Sequence, residues 1–179
     1  MPASTPLTFS LDRLVRPAVH EMPSYIPAKG AGQPPERVIR LDMNESPYPP
    51  SEHVRQALAK FATSNRYPSF DAREVREPIA TYTGAPIEQI IAGAGLDDVL
   101  NTLFLTLLEP GDQIIISEPT FGVYRYLPGL YAAETVDVPL ADGFRLDAGG
   151  VLNAVTDRTK IIVVCTPNNP TGNQLDPDA

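Results

Sequence analysis

Short, uninterrupted runs of branched apolar residues alternate along this chain with longer stretches whose apolar positions recur every three or four residues. Ile90-Ile91-Ala92, Ile114-Ile115-Ile116 and Ile161-Ile162-Val163-Val164 are runs of the first kind. They lack polar alternation, which predicts strands buried on both faces of a parallel sheet. Thr135-Val136-Asp137-Val138 alternates instead and predicts a half-exposed strand, and Val38-Ile39-Arg40-Leu41 reads as a short one. Helical spacing appears in Val54, Ala57, Leu58 and Phe61, then in Val75, Ile79 and Tyr82. It recurs in Leu96, Leu100, Leu103, Phe104 and Leu107, and in Leu152 with Val155. The helix boundaries carry their own signals. Ser51 and Asp147 are N-caps, Asp71 to Glu74 fits a capping box, Thr120 caps a helix starting at Phe121, and Gly84 is a natural C-cap. Pro78 predicts a kink or a break near Glu77, and Pro128-Gly129 cuts the Phe121 helix short. Strand and helix thus take turns, the order of an α/β domain with a mainly parallel sheet and flanking helices.

Composition narrows the function classes. A chain of 179 residues with 42% hydrophobic and 20% charged residues has room for one globular core. A net charge of −8 argues against nucleic acid and anionic membrane as partners, since either needs a basic face. The single cysteine, Cys165, excludes an internal disulfide and offers no metal cluster. No apolar run approaches the roughly 20 residues of a membrane span. The N-terminus, with Asp12, Arg13 and Arg16, has no apolar signal segment, so a soluble cytoplasmic protein is expected. Residues 1–37 hold Pro2, Pro6, Pro17, Pro23, Pro27, Pro34 and Pro35 and read as an arm, with one short amphipathic turn at Leu11, Leu14 and Val15.

The chemistry lies where the apolar runs stop. Ile161 to Val164 ends in Cys165-Thr166-Pro167-Asn168-Asn169-Pro170-Thr171-Gly172, where the prolines restrict the backbone that carries two amides. Open parallel sheets bind ligands beyond the carboxyl ends of their strands. Ile90 to Ala92 runs into Gly93-Ala94-Gly95-Leu96-Asp97-Asp98 and then a helix. Glycines there allow close backbone approach, and the helix N-terminus faces an anion, the recipe for holding a phosphate. Asp98 stands where a dinucleotide fingerprint has its third glycine, and a P-loop lysine is lacking. Read singly, each of these segments is more simply a polar turn, Tyr67 is an aromatic packed at a turn, and Phe121 is as readily a core residue at a helix start.

Taken together and in order, the segments resemble the fold-type I, class I/II aminotransferases that depend on pyridoxal 5'-phosphate, and most nearly the histidinol-phosphate aminotransferases. Asn44-Glu45-Ser46-Pro47-Tyr48 is similar to the family's Asn-Glu-Asn-Pro-Tyr on the substrate side, which makes Asn44 and Tyr48 candidate substrate contacts. Tyr67-Pro68 matches a tyrosine that reaches the partner subunit's cofactor phosphate. Gly93 to Asp98 is similar to the phosphate cup, with Leu96 in place of a serine, so the backbone amides of Gly95, Leu96 and Asp97 carry that role. Phe121 takes the place of the aromatic that lies flat on the pyridine ring, and Asn169 that of the asparagine bonded to the cofactor's phenolic oxygen. The resemblance implies a PLP-dependent transferase-like large domain over 46–179, incomplete at its C-terminus, behind a proline-rich N-terminal arm over 1–45. It implies a homodimer, an amino donor such as histidinol phosphate, 2-oxoglutarate as acceptor, and no metal.

The resemblance covers residues 38–179, about the first half of such an enzyme. The Schiff-base lysine, the acid paired with the pyridine nitrogen and the arginine for the substrate carboxylate all lie further on in the family. Lys29, Lys60 and Lys160 do not fit the lysine's role, so no catalytic residue is assigned within the chain. Asp176-Pro177 opens a helix at the very end, which reads as a truncation. The 179 residues alone are expected to be inactive and to bind pyridoxal phosphate weakly. On the same scaffold, a decarboxylase of a phosphorylated amino acid or an aromatic aminotransferase would share these segments. A non-catalytic half-domain that binds a phosphate-bearing ligand is the reading from a different class.

Overall fold

The computed structural model describes residues 11–22, 39, 41 and 43–175. The chain divides into two compact units, Met1–Pro23 with Gly93–Ala179, and Ser24–Ala92.

The first unit is built around a parallel sheet. Its elements are α1 (Pro17–His20), α4 (Leu96–Leu107), β1 (Gln113–Ile116), α5 (Val123–Tyr126), β2 (Glu134–Asp137), α6 (Ala148–Ala154) and β3 (Thr159–Ile162), while α2 (Glu52–Lys60) and α3 (Arg73–Thr83) belong to the other unit. The strand order is β2-β1-β3, with both pairings parallel. Ile114 lies opposite Thr135 and Ile161, and Ile115 opposite Val136 and Ile162. Ile114, Ile115 and Ile116 are fully buried, as their unbroken run predicts. Phe104 and Leu108 of the α4 segment close over Ile114 and Ile116, with Leu100, Tyr124, Leu127, Ile161 and Val163 around them.

The seam of α4 differs from the expected one. Leu100, Phe104 and Leu108 face the core, one every four residues, whereas Leu96, Leu103 and Leu107 remain exposed. β3 also departs from expectation. Ile162 and Val164 are 42% and 49% exposed while Ile161 and Val163 pack inward, so this strand is half-covered rather than buried on both faces. Among the described residues β3 is an edge strand, and that is why its outer positions stay open. α5 ends at Tyr126, cut short ahead of Pro128-Gly129 as expected, and Leu127–Tyr131 follows as a 3₁₀ turn around the buried Pro128. The Tyr131 hydroxyl donates to Asn101 on α4 at 2.6 Å, and α1 packs on the same turn.

In the 24–92 unit the two helices start differently. Ser51 caps α2 by accepting from the Val54 amide at 3.3 Å, as expected. The cap of α3 is not Asp71. Ala72 occupies the N-cap position with φ 50°, and Ser69 accepts from the Arg73 amide at 2.9 Å while its hydroxyl donates to Glu74. That contact holds the Glu74 carboxyl below the usual carboxylate range. Helix α3 runs unbroken through Pro78, so the expected break near Glu77 does not occur.

Ile90 to Ala92 forms no strand. The Arg76 guanidinium, from α3, takes the carbonyl of Ile90 at 2.7 Å, which a sheet ladder would otherwise use, and that of Ile87 just before it at 2.6 Å. Ile91 is left exposed. Replacing Arg76 by methionine is therefore expected to weaken this unit by about 1.5–3 kcal/mol, the worth of hydrogen bonds to a charged group. Faster amide exchange along α3 would register the loss. Of the strand expected at Val38 to Leu41, Val38 and Arg40 lie outside the described residues, and Ile39 and Leu41 are exposed and in no strand.

Candidate active site

Two chain segments leave the carboxyl ends of neighbouring strands and are tied to each other. From β1 come Ser117, Glu118, Pro119, Thr120 and Phe121, and beyond β3 follow Cys165 to Asn173. The Glu118-Pro119, Thr166-Pro167 and Asn169-Pro170 peptide bonds are cis. The tie is Asn168, only 7% exposed. Its Oδ1 accepts from the Thr120 hydroxyl at 2.9 Å, and its Nδ2 donates to the Pro119 carbonyl at 2.9 Å and to Thr171 Oγ1 at 2.8 Å. Thr120 was expected to cap a helix from Phe121. Its hydroxyl serves this tie instead, and α5 starts at Val123 with no side-chain cap.

Below Phe121 sits Tyr124. The two rings meet edge to face, with centroids 5.6 Å apart and planes at 86°, the geometry that aromatic quadrupoles favour. The Tyr124 hydroxyl approaches Cys165 Sγ at 4.0 Å. Burial, then the neighbouring Cys165 and Asp97, push the Tyr124 phenol above its ordinary range. Because the folded value is raised, the stabilising effect is whole below the ordinary tyrosine range and is lost as pH climbs through the folded value. An ultraviolet titration should thus show a phenol that ionises above the ordinary tyrosine range, and Tyr124→Phe should abolish that late step. Beside this pair, Arg125 bonds Glu118 at 2.5 Å and lies 3.3 Å from Asp137, which fixes the start of the β1 exit. The Glu118 bond raises the guanidinium further above its normal value.

The third component is the N-terminus of α4. Gly95 precedes it with φ 93° and ψ 179°, a backbone state open essentially to glycine alone. Its first amides have no intrahelical acceptor. Asp98 turns back to accept from the Ala94 amide at 2.9 Å, which fixes the turn and takes one carboxylate out of the mouth. Behind this start, Leu100 and Phe104 of the same helix pack in the cluster that Tyr124 joins.

Of the residues singled out from sequence, Gly95, Leu96, Asp97, Phe121 and Asn169 all belong to this unit. Gly95, Leu96 and Asp97 are exposed, whereas Phe121 and Asn169 are half-buried. Asn44, Tyr48 and Tyr67 belong to the 24–92 unit and are exposed, Tyr67 completely so at 101%. Sequence reasoning missed Ser117, whose Oγ is buried without a partner, as well as Tyr124 and the Thr120-Asn168 tie. A hydroxyl just past one apolar run and an amide just past the next were the available signal. Lys160 lies at the other end of the sheet, 3.8 Å from Asp112. Among the described residues no group of His, Cys, Asp and Glu is placed to hold a metal ion, and no helix is long and apolar enough to cross a membrane.

The family model described as aminotransferase class I and II matches residues 36–179. The chain belongs to this family. Histidinol-phosphate aminotransferase 1 of Archaeoglobus fulgidus is 40% identical over 139 residues, 78% of this chain and 43% of that protein. Histidinol-phosphate aminotransferase of Methanosarcina mazei is 37% identical, over 94% of this chain and 48% of that protein. Among solved structures, a single mutant of Thermus thermophilus aspartate aminotransferase superposes with a TM-score of 0.78 at 27% identity, covering 92% of this chain and 47% of that one. The chain spans about half the length of the curated relatives it matches. As in other class I and II aminotransferases, the fold is α/β with a parallel sheet and flanking helices, and the cofactor of the family is pyridoxal 5'-phosphate.

Proposed function

We propose that this chain is the cofactor-cradling half of a pyridoxal-phosphate-dependent aminotransferase that passes an amino group from histidinol phosphate to 2-oxoglutarate. The observation that carries the reading is the convergence in one unit of a glycine-started helix N-terminus with two strand exits locked by Asn168. The donor set fits the cofactor: free amides for a phosphate, an aromatic face for a ring, and an amide side chain for a phenolic oxygen. When bound, pyridoxal phosphate supplies the electron sink for amino transfer.

The chain's own residues bind and orient. The amides of Gly95, Leu96 and Asp97 receive the phosphate, aided by the α4 dipole. Phe121, packed edge to face with Tyr124, holds the ring face, and Asn169 donates to the phenolic oxygen. With leucine at position 96 the cup adds no hydroxyl, so backbone amides do this work. By the family resemblance, Asn44 and Tyr48 are the candidate donor contacts, and Tyr67, wholly exposed, is the candidate contact to a second subunit's phosphate in a homodimer. A biosynthetic enzyme of this kind works in the cytoplasm.

The test is an assay of the whole protein that carries this sequence, with histidinol phosphate and 2-oxoglutarate. Glutamate formation is expected. Release of carbon dioxide without need of a keto acid would show a decarboxylase instead, and amino transfer from aromatic amino acids alone would overturn the donor.

A further inference from the structure

We propose that Asn168 is a positioning residue, whose buried carboxamide clasps the loop bearing Phe121 to the turn bearing Asn169 and so sets the spacing between the cofactor's ring-face and phenolic-oxygen contacts. This rests on the functional reading above.

The chemistry of the clasp is specific to asparagine. A carboxamide presents two N–H donors and a carbonyl acceptor on one short side chain. Here both donors are used, on Pro119 O and Thr171 Oγ1, and the carbonyl takes the Thr120 hydroxyl. Aspartate would lack both donors and set a carboxylate against the Pro119 carbonyl. The main chain of Asn168 is engaged as well, donating to the Asn173 carbonyl at 2.9 Å and accepting from the Gly172 amide at 2.7 Å. The backbone offers few substitutes, because Pro119, Pro167 and Pro170 carry no N–H with which the two segments could knit. Thr120 precedes Phe121 directly and Asn168 precedes Asn169 directly. Fixing the first member of each pair against the other therefore fixes the site-bearing neighbours. Burial of the amide makes each lost bond costly, since its partner is left dry and unpaired.

The experiment uses the whole protein, Asn168→Asp and Thr120→Val, with pyridoxal phosphate as the probe. Readouts are cofactor affinity, the visible circular dichroism of the bound cofactor, and amide exchange at Phe121, Gly172 and β1. Asn168→Asp is expected to weaken cofactor binding by about tenfold or more, and Thr120→Val by a few-fold. The dichroic band should shrink in both, with faster exchange at Phe121 and Gly172 and unchanged exchange in β1. Unaltered affinity and dichroism in both variants would overturn the positioning role, and so would a loss accompanied by equally faster exchange in β1. If Asn168→Asp does not fold, Thr120→Val decides alone, because it deletes one hydroxyl and keeps the shape. Absence of any dichroic band in the unsubstituted protein would sink the functional reading and this role with it, an outcome distinct from a band that the variants leave unchanged.

Discussion

Phe104→Ala should cost the sheet unit about 3–5 kcal/mol, the range for truncating a buried aromatic. That is a large part of the roughly 5–15 kcal/mol by which a domain is held folded. Phe104 is wholly buried and rests on Ile114 and Ile116, the strand to which both neighbours pair. The void cannot be filled cheaply, because Tyr131 already anchors the next turn to Asn101 on the same helix. Leu103→Ala is the control. It lies one position away on α4 but 38% exposed, and should cost well under half as much. Urea unfolding of the whole protein measures both, and equal losses would show that the core seam does not run through Leu100, Phe104 and Leu108.

Gly95→Val should lower affinity for pyridoxal phosphate by about a hundredfold, equivalent to some 2.7 kcal/mol. A β-branched residue cannot hold φ 93° with ψ 179°, so the chain must leave this conformation and carry the first amides of α4 away from a common focus. Space is not the obstacle, since a Cβ at Gly95 would meet nothing within 4 Å. Gly93 is restricted by the opposite cause. A Cβ there would stand 2.7 Å from Asp98 Oδ2 and dislodge the carboxylate that holds the Ala94 amide. Gly84→Ala makes the comparison clean. Gly84 ends α3 with φ 74°, so this change should lower stability by about 1 kcal/mol and leave cofactor affinity alone. Titration followed by the dichroism of the bound cofactor separates the two variants.

The sequence disclosed the parallel sheet because Ile114 to Ile116 can only be buried on both faces, and burial is what the structure finds there. The same logic overreached at Ile162 and Val164, since coverage of an edge strand depends on what lies beyond it. It failed at Ile90 to Ala92 because a remote arginine, Arg76, competes for the Ile90 carbonyl, and no local pattern encodes that competition. Caps were legible where the capping side chain directly precedes the helix, as at Ser51 and Asp147, whose carboxylate accepts from Gly150 at 2.8 Å. They were misread where the acceptor sits further back, as Ser69 does. The site segments were legible as ordered motifs. Their mutual fastening was not, because Thr120 and Asn168 are 48 positions apart and each looks like an ordinary turn residue.

The most direct measurement is a crystal structure of the whole protein with pyridoxal phosphate. Phosphate oxygens are expected on the amides of Gly95, Leu96 and Asp97, the pyridine ring against the face of Phe121, and the Asn169 amide on the phenolic oxygen. A cofactor found elsewhere, or one at this sheet end whose phosphate ignores the start of α4, would contradict it.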